Sequence, residues 1–308
     1  MDAGRDGGPR RVVKLIPGVR GEVLEQVPLA QYCTYRIGGP ARLLVKPAVP
    51  EDVALALRFA VERGLPWLAL GLGSNVLIAD RGFAGVVLRL GRGLDRVSAS
   101  GTTWSLGAGL PTPLLAKRTA LEGFSGLHRL VGVPGTVGGG VAMNAGCHGQ
   151  EFADVITEVT VVTPSGDDRV LPRAAIPFRY RDSQLRDVVI VAATVELERG
   201  DPAALRADQQ RLYEWRRAGT PFDEPCCGSV FRNPVGDATA GRLIEGAGLK
   251  GFRHGGAVVS PKHANYIVNT GGATAGDVHR VIDHVRETVL ERYGTALTLE
   301  LRLVGDEG

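Results

Sequence analysis

The stretch that most constrains this chain is Gly132 to Gly146, GVPGTVGGGVAMNAG, in which six of fifteen residues are glycine. Only Thr136 and Asn144 bring polar side chains to it. Glycine reaches positive φ and lets the backbone press directly against a bound group. A segment with no charge and little bulk is poor at building a core of its own. It is suited to wrapping a flat polyanion in backbone N–H donors. A flexible linker is the competing explanation, but linkers are serine-rich and polar, whereas valines punctuate this one. The stretch therefore reads as a cofactor cradle.

The rest of the chain limits what kind of protein holds that cradle. Its 308 residues leave room for two or three domains, and 44% hydrophobic content allows a sizeable core. Basic and acidic residues number 36 and 33, a net charge of +3 that is too even for a nucleic-acid or anionic-membrane binder. No run of about eighteen apolar residues occurs, so membrane insertion is not expected. MDAGRDGGPRR at the N-terminus has charge without an apolar stretch behind it, which is unlike a signal peptide, and residues 1–20 read as a disordered lead-in. Cys33, Cys147, Cys226 and Cys227 lack a C-x-x-C spacing and suit free thiols in a reducing cytoplasm. The six histidines form no ligand pair, so no metal is expected.

In chain order, CTYRIGGPARLLVKP turns at Gly38-Gly39-Pro40 and continues as a strand from Ala41 to Lys46. A helix starts at Pro50 with Val53, Leu57 and Ala60 inward and Gly64 as its stop. The strand Trp67 to Leu70 runs into Gly71-Leu72-Gly73-Ser74-Asn75 and then into Val76-Leu77-Ile78. A dinucleotide fingerprint would need a third glycine and a following helix, and both are missing. Phe83 to Leu90 is a further strand. Short strands fill Leu94 to Leu106, and a helix with Thr112 and Pro113 at its start ends at Gly123. Strands are expected from Val155 to Thr163 and from Val188 to Leu197. A helix from Asp201-Pro202 should turn Leu205, Leu212 and Trp215 inward, with Arg216 and Arg217 favouring its last turn. The last helix opens on a Thr274/Asp277 capping box, buries Val278, Val281, Ile282, Val285 and Val289, and stops at Gly294. A terminal strand from Ala296 to Val304 carries Glu300 among apolar neighbours.

With these pieces placed, the chain resembles the MurB family of UDP-N-acetylenolpyruvoylglucosamine reductases. The residues that carry the resemblance are TYRIGGPA at 34–41, LGLGSNVLI at 70–78, GVPGTVGGGVAMNAG at 132–146, YRDS at 180–183, GSVFRNP at 228–234, AGLKGFRHGGAVVSPKHANYIVN at 247–269 and ELRLVG at 300–305. They occur in family order from about Thr34 to Gly305. The resemblance implies an α+β protein with a vanillyl-alcohol-oxidase-like FAD-binding fold of two subdomains, 21–95 and 96–203. A smaller C-terminal α/β substrate-binding domain, 204–308, would follow, in the shorter family form that lacks a tyrosine-bearing insertion. It further implies non-covalent FAD and NADPH as reductant. The substrate would be UDP-N-acetylglucosamine enolpyruvate, reduced to UDP-N-acetylmuramate for peptidoglycan in the cytoplasm by a monomer or weak oligomer.

The same resemblance assigns residues. Ser229 matches the proton donor to the substrate carbon left electron-rich by hydride addition. A lone serine in a turn is otherwise usually a turn residue. Arg181, which could equally make a minor surface pair with Asp182, matches the enolate-stabilising arginine, and Glu300 matches its carboxyl partner. For the cofactor the expected contacts are Gly71, Gly73, Ser74 and Asn75 at the pyrophosphate, and Gly132, Pro134, Gly135, Thr136, Gly138, Gly139, Ala145 and Gly146 along the cradle. Tyr35, Arg36 and Ile37 are expected on the adenine side, and Val189 and Val191 behind the isoalloxazine. Tyr180, Arg232, Asn233, Lys262 and His263 are expected at the substrate. Cys226-Cys227 stands where the family more often has Ser-Ala or similar, and its oxidation could block the site. Two rivals remain at this stage. One is an oxidase on the same fold, against which stands the absence of a flavin-linking histidine in 71–75. The other is a flavin-binding module without catalysis.

Overall fold

The computed structural model describes residues 12–305. The expected lead-in lies outside the described residues up to residue 11, but its remainder is folded. Ile16 is 5% exposed within the first core, and the Val13 N–H donates to the Val23 carbonyl at 2.9 Å.

Two sheets and a C-terminal unit make up the molecule. The first sheet joins β1 (Glu22–Pro28), β2 (Pro40–Lys46), β3 (Trp67–Leu70) and β5 (Phe83–Arg89) in the order β1-β2-β5-β3, while β4 (Val76–Ile78) stands apart from it. Helix α1 (Pro50–Glu62) crosses over after β2, and the β2–β5 and β3–β5 pairs are parallel, as crossover connections require. Strand alternation lets this sheet feed two cores. Leu43, Val45, Val86 and Leu88 enter one, while Leu44 and Val87 enter the other. Asp52, 1% exposed at the start of α1, accepts from the Arg20, Gly21 and Ala48 N–H groups and anchors the chain entry.

The second sheet is antiparallel and includes β6 (Val97–Ser100) and β7 (Thr103–Gly107) together with the strands Ile156–Val162, Asp168–Pro172 and Val189–Glu196. Its inward residues pack with α1 and with α2 (Thr112–Leu121) around Trp104, which is fully buried. Helix α3 (Val137–Ala142) also joins this core. Helix α4 (Pro202–Gly219) lies on α2 with Leu212 inward, as expected, but Trp215 is 70% exposed and corrects the sequence reading. Positions 212 and 215 are three apart, so they point in related but distinct directions, and the narrow apolar strip of α4 reaches only Leu212.

The C-terminal unit carries α5 (Ala240–Gly246), a small sheet of Arg253–His254, Ala257–Val259 and Ile267–Asn269, and α6 (Ala275–Tyr293). All five apolar positions expected on α6 are buried, its capping box is formed, and Gly294 closes it in the left-handed region at φ 65°. The expected terminal strand is shorter than Ala296 to Val304. Only Arg302–Val304 is a regular strand, and it pairs parallel to β4 in the N-terminal half of the chain. The intervening Thr298–Leu301 backbone bonds instead to Val230 and Arg232.

Candidate active site

Two turns approach each other at the junction of these units and form one wall of a cavity. In the first, β3 runs into Gly71–Asn75, with Gly73 in the left-handed region at φ 64°. The TYRIGG segment holds this turn from behind, for the Thr34 N–H and hydroxyl both donate to the Gly73 carbonyl. Arg89 donates to the Gly71 carbonyl, fixing the other end. The second turn is Val133–Thr136, with Gly135 at φ 123°. A Cβ built on Gly71 would collide with the Thr136 hydroxyl, and one on Gly135 would come within 3.1 Å of Ser74 Oγ. Glycine suits both positions, since the Thr136 side chain occupies the place of a Cβ at 71 and residue 135 takes a positive φ.

The glycine-rich stretch is only in part a cradle. Residues 137–142 form α3, whose Val137 and Gly138 N–H groups donate to the Leu110 and Ala108 carbonyls at 2.8 and 2.9 Å. A Cβ on Gly138 would crowd Ala108, and one on Gly140 would enter the Phe152 ring. These glycines therefore allow a helix to sit flush on the second sheet, and Val137 and Val141 do build core. Pro134, Gly135, Thr136, Gly139, Ala145 and Gly146 line the cavity as expected, while Gly132 and Gly138 do not.

Residues placed at the cavity from the far side include Arg181, Ser229 and Glu300. Arg181 sits in the loop after Phe178, closed by reciprocal backbone bonds between Arg179 and Asp182, and takes φ 56°. A non-glycine residue in that region costs of order 1–3 kcal/mol and persists only where its surroundings impose it. Ser183, fully buried, pins the loop to the end of α3 through two bonds to the Ala142 carbonyl. Asp182 pairs with Arg186 at 2.7 Å rather than with Arg181. That leaves Arg181 free to meet Glu300 at 3.3 Å, Glu151 at 3.4 Å and the Gly146 carbonyl at 3.0 Å.

Ser229 and Glu300 reach the same cavity because the segments that carry them are joined through Val230. The Val230 N–H donates to the Asn265 carbonyl, and the Glu300 N–H donates to the Val230 carbonyl, both at 2.9 Å. Asn75 takes part as well, since its side-chain amide donates to the Glu300 carbonyl at 3.1 Å. A residue expected at the pyrophosphate thus ties the FAD-side turn to the acid. Burial pushes the Glu300 carboxyl above the usual glutamate range, opposed by the nearby Arg181 and Arg232 guanidinium groups. Tyr266, its phenol pushed up by burial, lines the cavity together with Ser229.

Several expected residues lie elsewhere. Tyr35 and Ile37 are buried in the second core and support the glycine turn rather than line the cavity, while Arg36 is exposed. Val189 and Val191 form part of the second sheet's core layer. Tyr180 is 45% exposed and lies on the Arg181 guanidinium at 4.9 Å. Arg232 donates to the Arg181 carbonyl at 3.4 Å. Asn233 caps α5 through the Ala240 N–H, and Lys262 donates to the Arg217 carbonyl. His263 packs edge-on against Tyr266. Tyr266, Arg216, Arg302 and Cys227 line the cavity without having been singled out as site residues. Tyr266 lies in the quoted 247–269 motif, yet nothing in its apolar neighbours marks its hydroxyl.

Whether this cavity suits FAD is tested by its own atoms. The Thr136 hydroxyl is buried without a hydrogen-bond partner, at a wall of glycine backbone that side chains would fill. An unpaired buried hydroxyl beside so narrow a slot suits a flat ligand with polar edges. The residues present fit the group. Among the described residues no helix is long and apolar enough to cross a membrane.

Comparison with known proteins gives concordant results. A family model described as FAD binding domain matches residues 41–170, and one described as UDP-N-acetylenolpyruvoylglucosamine reductase, C-terminal domain, matches residues 220–304. The UDP-N-acetylenolpyruvoylglucosamine reductase of Halalkalibacterium halodurans is 41% identical over 288 residues, covering 93% of this chain and 95% of that protein. Its counterpart from Anaeromyxobacter dehalogenans is 46% identical over 289 residues, covering 94% and 87%. The crystal structure of UDP-N-acetylenolpyruvylglucosamine reductase (MurB) from Thermus caldophilus superposes with a TM-score of 0.81 at 34% identity, covering 92% of this chain and 99% of that one.

Proposed function

Because the chain belongs to the UDP-N-acetylenolpyruvoylglucosamine reductase family of FAD-dependent oxidoreductases, we propose a particular reaction and division of labour for it. The reaction is NADPH-dependent reduction of the enolpyruvyl double bond of UDP-N-acetylglucosamine enolpyruvate to UDP-N-acetylmuramate, for peptidoglycan, in the cytoplasm. The chemistry that FAD supplies when bound is hydride carriage from NADPH to the terminal carbon of that double bond. Gly71, Gly73, Ser74 and Asn75 on one turn and Pro134 to Thr136 on the other would hold it, with Gly139, Ala145 and Gly146 completing the wall.

The protein's own residues then have two tasks. Hydride arrival at the terminal carbon places an electron pair on the neighbouring carbon, conjugated with the substrate carboxylate as an enolate. Arg181, fixed on three sides, offers its remaining N–H groups to that developing charge, where a guanidinium suits a carboxylate-like pair of oxygens. Glu300 stands against Arg181 and keeps the charge there balanced. Ser229 donates its hydroxyl proton to the carbon, completing a C–H bond, and is reprotonated from solvent. Tyr180 and Arg232, both in contact with Arg181, are proposed to meet the substrate. Asn233, Lys262 and His263 are proposed as more distant substrate contacts. The protein is proposed to work as a monomer or weak oligomer.

The observation that carries this reading is the convergence of Arg181, Ser229 and Glu300 on the cavity walled by the two glycine turns. Ser229→Ala tests it. Turnover of the enolpyruvyl sugar should fall by about a hundredfold or more, while the variant keeps FAD and is still reduced by NADPH. Full turnover in that variant would remove Ser229 as proton donor.

A further inference from the structure

The Arg181 guanidinium faces a second carboxylate that the reaction does not use directly. Glu151 does not line the cavity, yet its Oε1 accepts from Arg181 Nη1 at 3.4 Å. Its other oxygen, Oε2, accepts from the Asn144 side-chain amide at 2.8 Å. We propose that Glu151, held by Asn144, is the positioning residue that sets the Arg181 guanidinium for the enolate, an inference that rests on the reductase reading above.

The geometry is over-determined around Asn144. This residue is 2% exposed and takes φ 41°, a conformation that asparagine tolerates better than most residues. Its amide also donates to the Arg179 carbonyl at 3.1 Å, and its Oδ1 accepts from the Ala153 N–H at 3.0 Å. One side chain thus joins the end of the glycine-rich stretch, the 151–154 turn and the loop that carries Arg181. Glu151 is held at its backbone too, where its N–H donates to Asp154 Oδ2 at 2.7 Å. Arg181 is left with little freedom. Glu151, the Gly146 carbonyl and Glu300 take three of its contacts, and its strained backbone fixes where the side chain departs.

Charge gives this arrangement a measurable signature. Glu151 shares the positive charge of Arg181 with Glu300, so removing it should strengthen the Arg181–Glu300 attraction and lower the pH at which Glu300 titrates. Other charged or titratable groups around this pair are Arg232 and Cys227 beside Glu300, the Tyr180 ring on Arg181, Arg216 and Tyr266 on the same cavity wall, and Asp154 against the Glu151 backbone. Arg302 and the Asp182–Arg186 pair lie beyond them. None of these changes when Glu151 does.

The test uses the FAD-loaded protein and follows turnover of NADPH with the enolpyruvyl sugar across pH, beside anaerobic bleaching by NADPH alone. Glu151→Gln should lower kcat about tenfold or more, within the range of a misplaced catalytic group. The limb of the profile that depends on Glu300 should move to lower pH, and bleaching by NADPH should stay as in the wild type. Glu151→Asp keeps the charge on a shorter arm, so it should lose turnover without moving the limb. Wild-type kcat with an unmoved profile in Glu151→Gln would overturn the assignment. Should that variant lose its flavin, wild-type kcat in Glu151→Asp would overturn it equally. A wild-type protein that bleaches with NADPH but leaves the enolpyruvyl sugar untouched would instead remove the reductase reading.

Discussion

Single residues show where chemistry was legible and where it was not. Ser229, Arg181 and Glu300 stand out in the sequence only through the motifs at 228–234, 180–183 and 300–305, and the fold brings all three to one cavity. Their separate neighbours would not have identified them, because a serine in a turn or an acid among leucines has no local signature. Glu151 shows the opposite limit. Its relation to Arg181 runs through Asn144 and across 30 residues, so no spacing rule could find it. Tyr35 and Ile37, expected beside the adenine, have their side chains buried. They sit in the second core, behind the loop they support. Glycine at position 71 makes the residue-scale argument testable. Its φ is not in the left-handed region, so alanine there is opposed chiefly by the Thr136 side chain at the cavity wall. Gly71→Ala should therefore weaken FAD affinity by at least about tenfold, equivalent to ~1.4 kcal/mol, with the secondary structure intact. Titration of the apoprotein with FAD measures it, and wild-type affinity would contradict the slot.

Elements were read well wherever one period governed them. Helix α6 followed its capping box, its apolar face and its terminal glycine, and α1 buried the three positions its pattern named. Failures came where tertiary partners decide. Trp215 looked inward by composition, but Leu212 is the one buried position of α4 and Trp215 stays 70% exposed. The last strand looked nine residues long because its apolar alternation is unbroken. Its first part is diverted by bonds to Val230 and Arg232, and only Arg302–Val304 finds β4. Pairing between segments so far apart leaves no trace in either one. The start of α6 carries a related long-range device. Asp80, just past β4, accepts from the Ala275 and Gly276 N–H groups at 2.9 and 3.3 Å, adding a second acid to the cap. Asp80→Ala should cost about 1 kcal/mol, in the range of a lost helix cap. A denaturant titration would show it as a lowered midpoint, and an unchanged midpoint would mean that Thr274 and Asp277 suffice.

At the scale of the whole molecule, the first sheet serves both cores, and the cavity opens at the junction it shares with the C-terminal unit. Loss of the fold therefore removes the site, and acid should disturb both. His128, His148 and His263 are all held below the usual histidine value of 6.5, chiefly by burial. Their folded forms resist protons that the unfolded chain accepts, so their contribution is full above pH 6.5 and is lost as pH falls below it. Asp208 and Asp277 are held below the usual aspartate value of 3.8, so their contribution persists until pH falls through that lower range. Glu300 has the opposite sign, being raised by burial, but it stands alone against three histidines. The melting temperature should therefore be lower at pH 5.5 than at pH 7.5, and scanning calorimetry at the two values checks it. An equal or higher value at pH 5.5 would mean that these histidines do not govern the balance.

The most direct test of the account is the visible absorbance of the FAD-loaded protein under anaerobic conditions. NADPH is added first and UDP-N-acetylglucosamine enolpyruvate second. Flavin bands should bleach with NADPH and return in full with the enolpyruvyl sugar, without oxygen. Bands that bleach and return only when oxygen is admitted would contradict it.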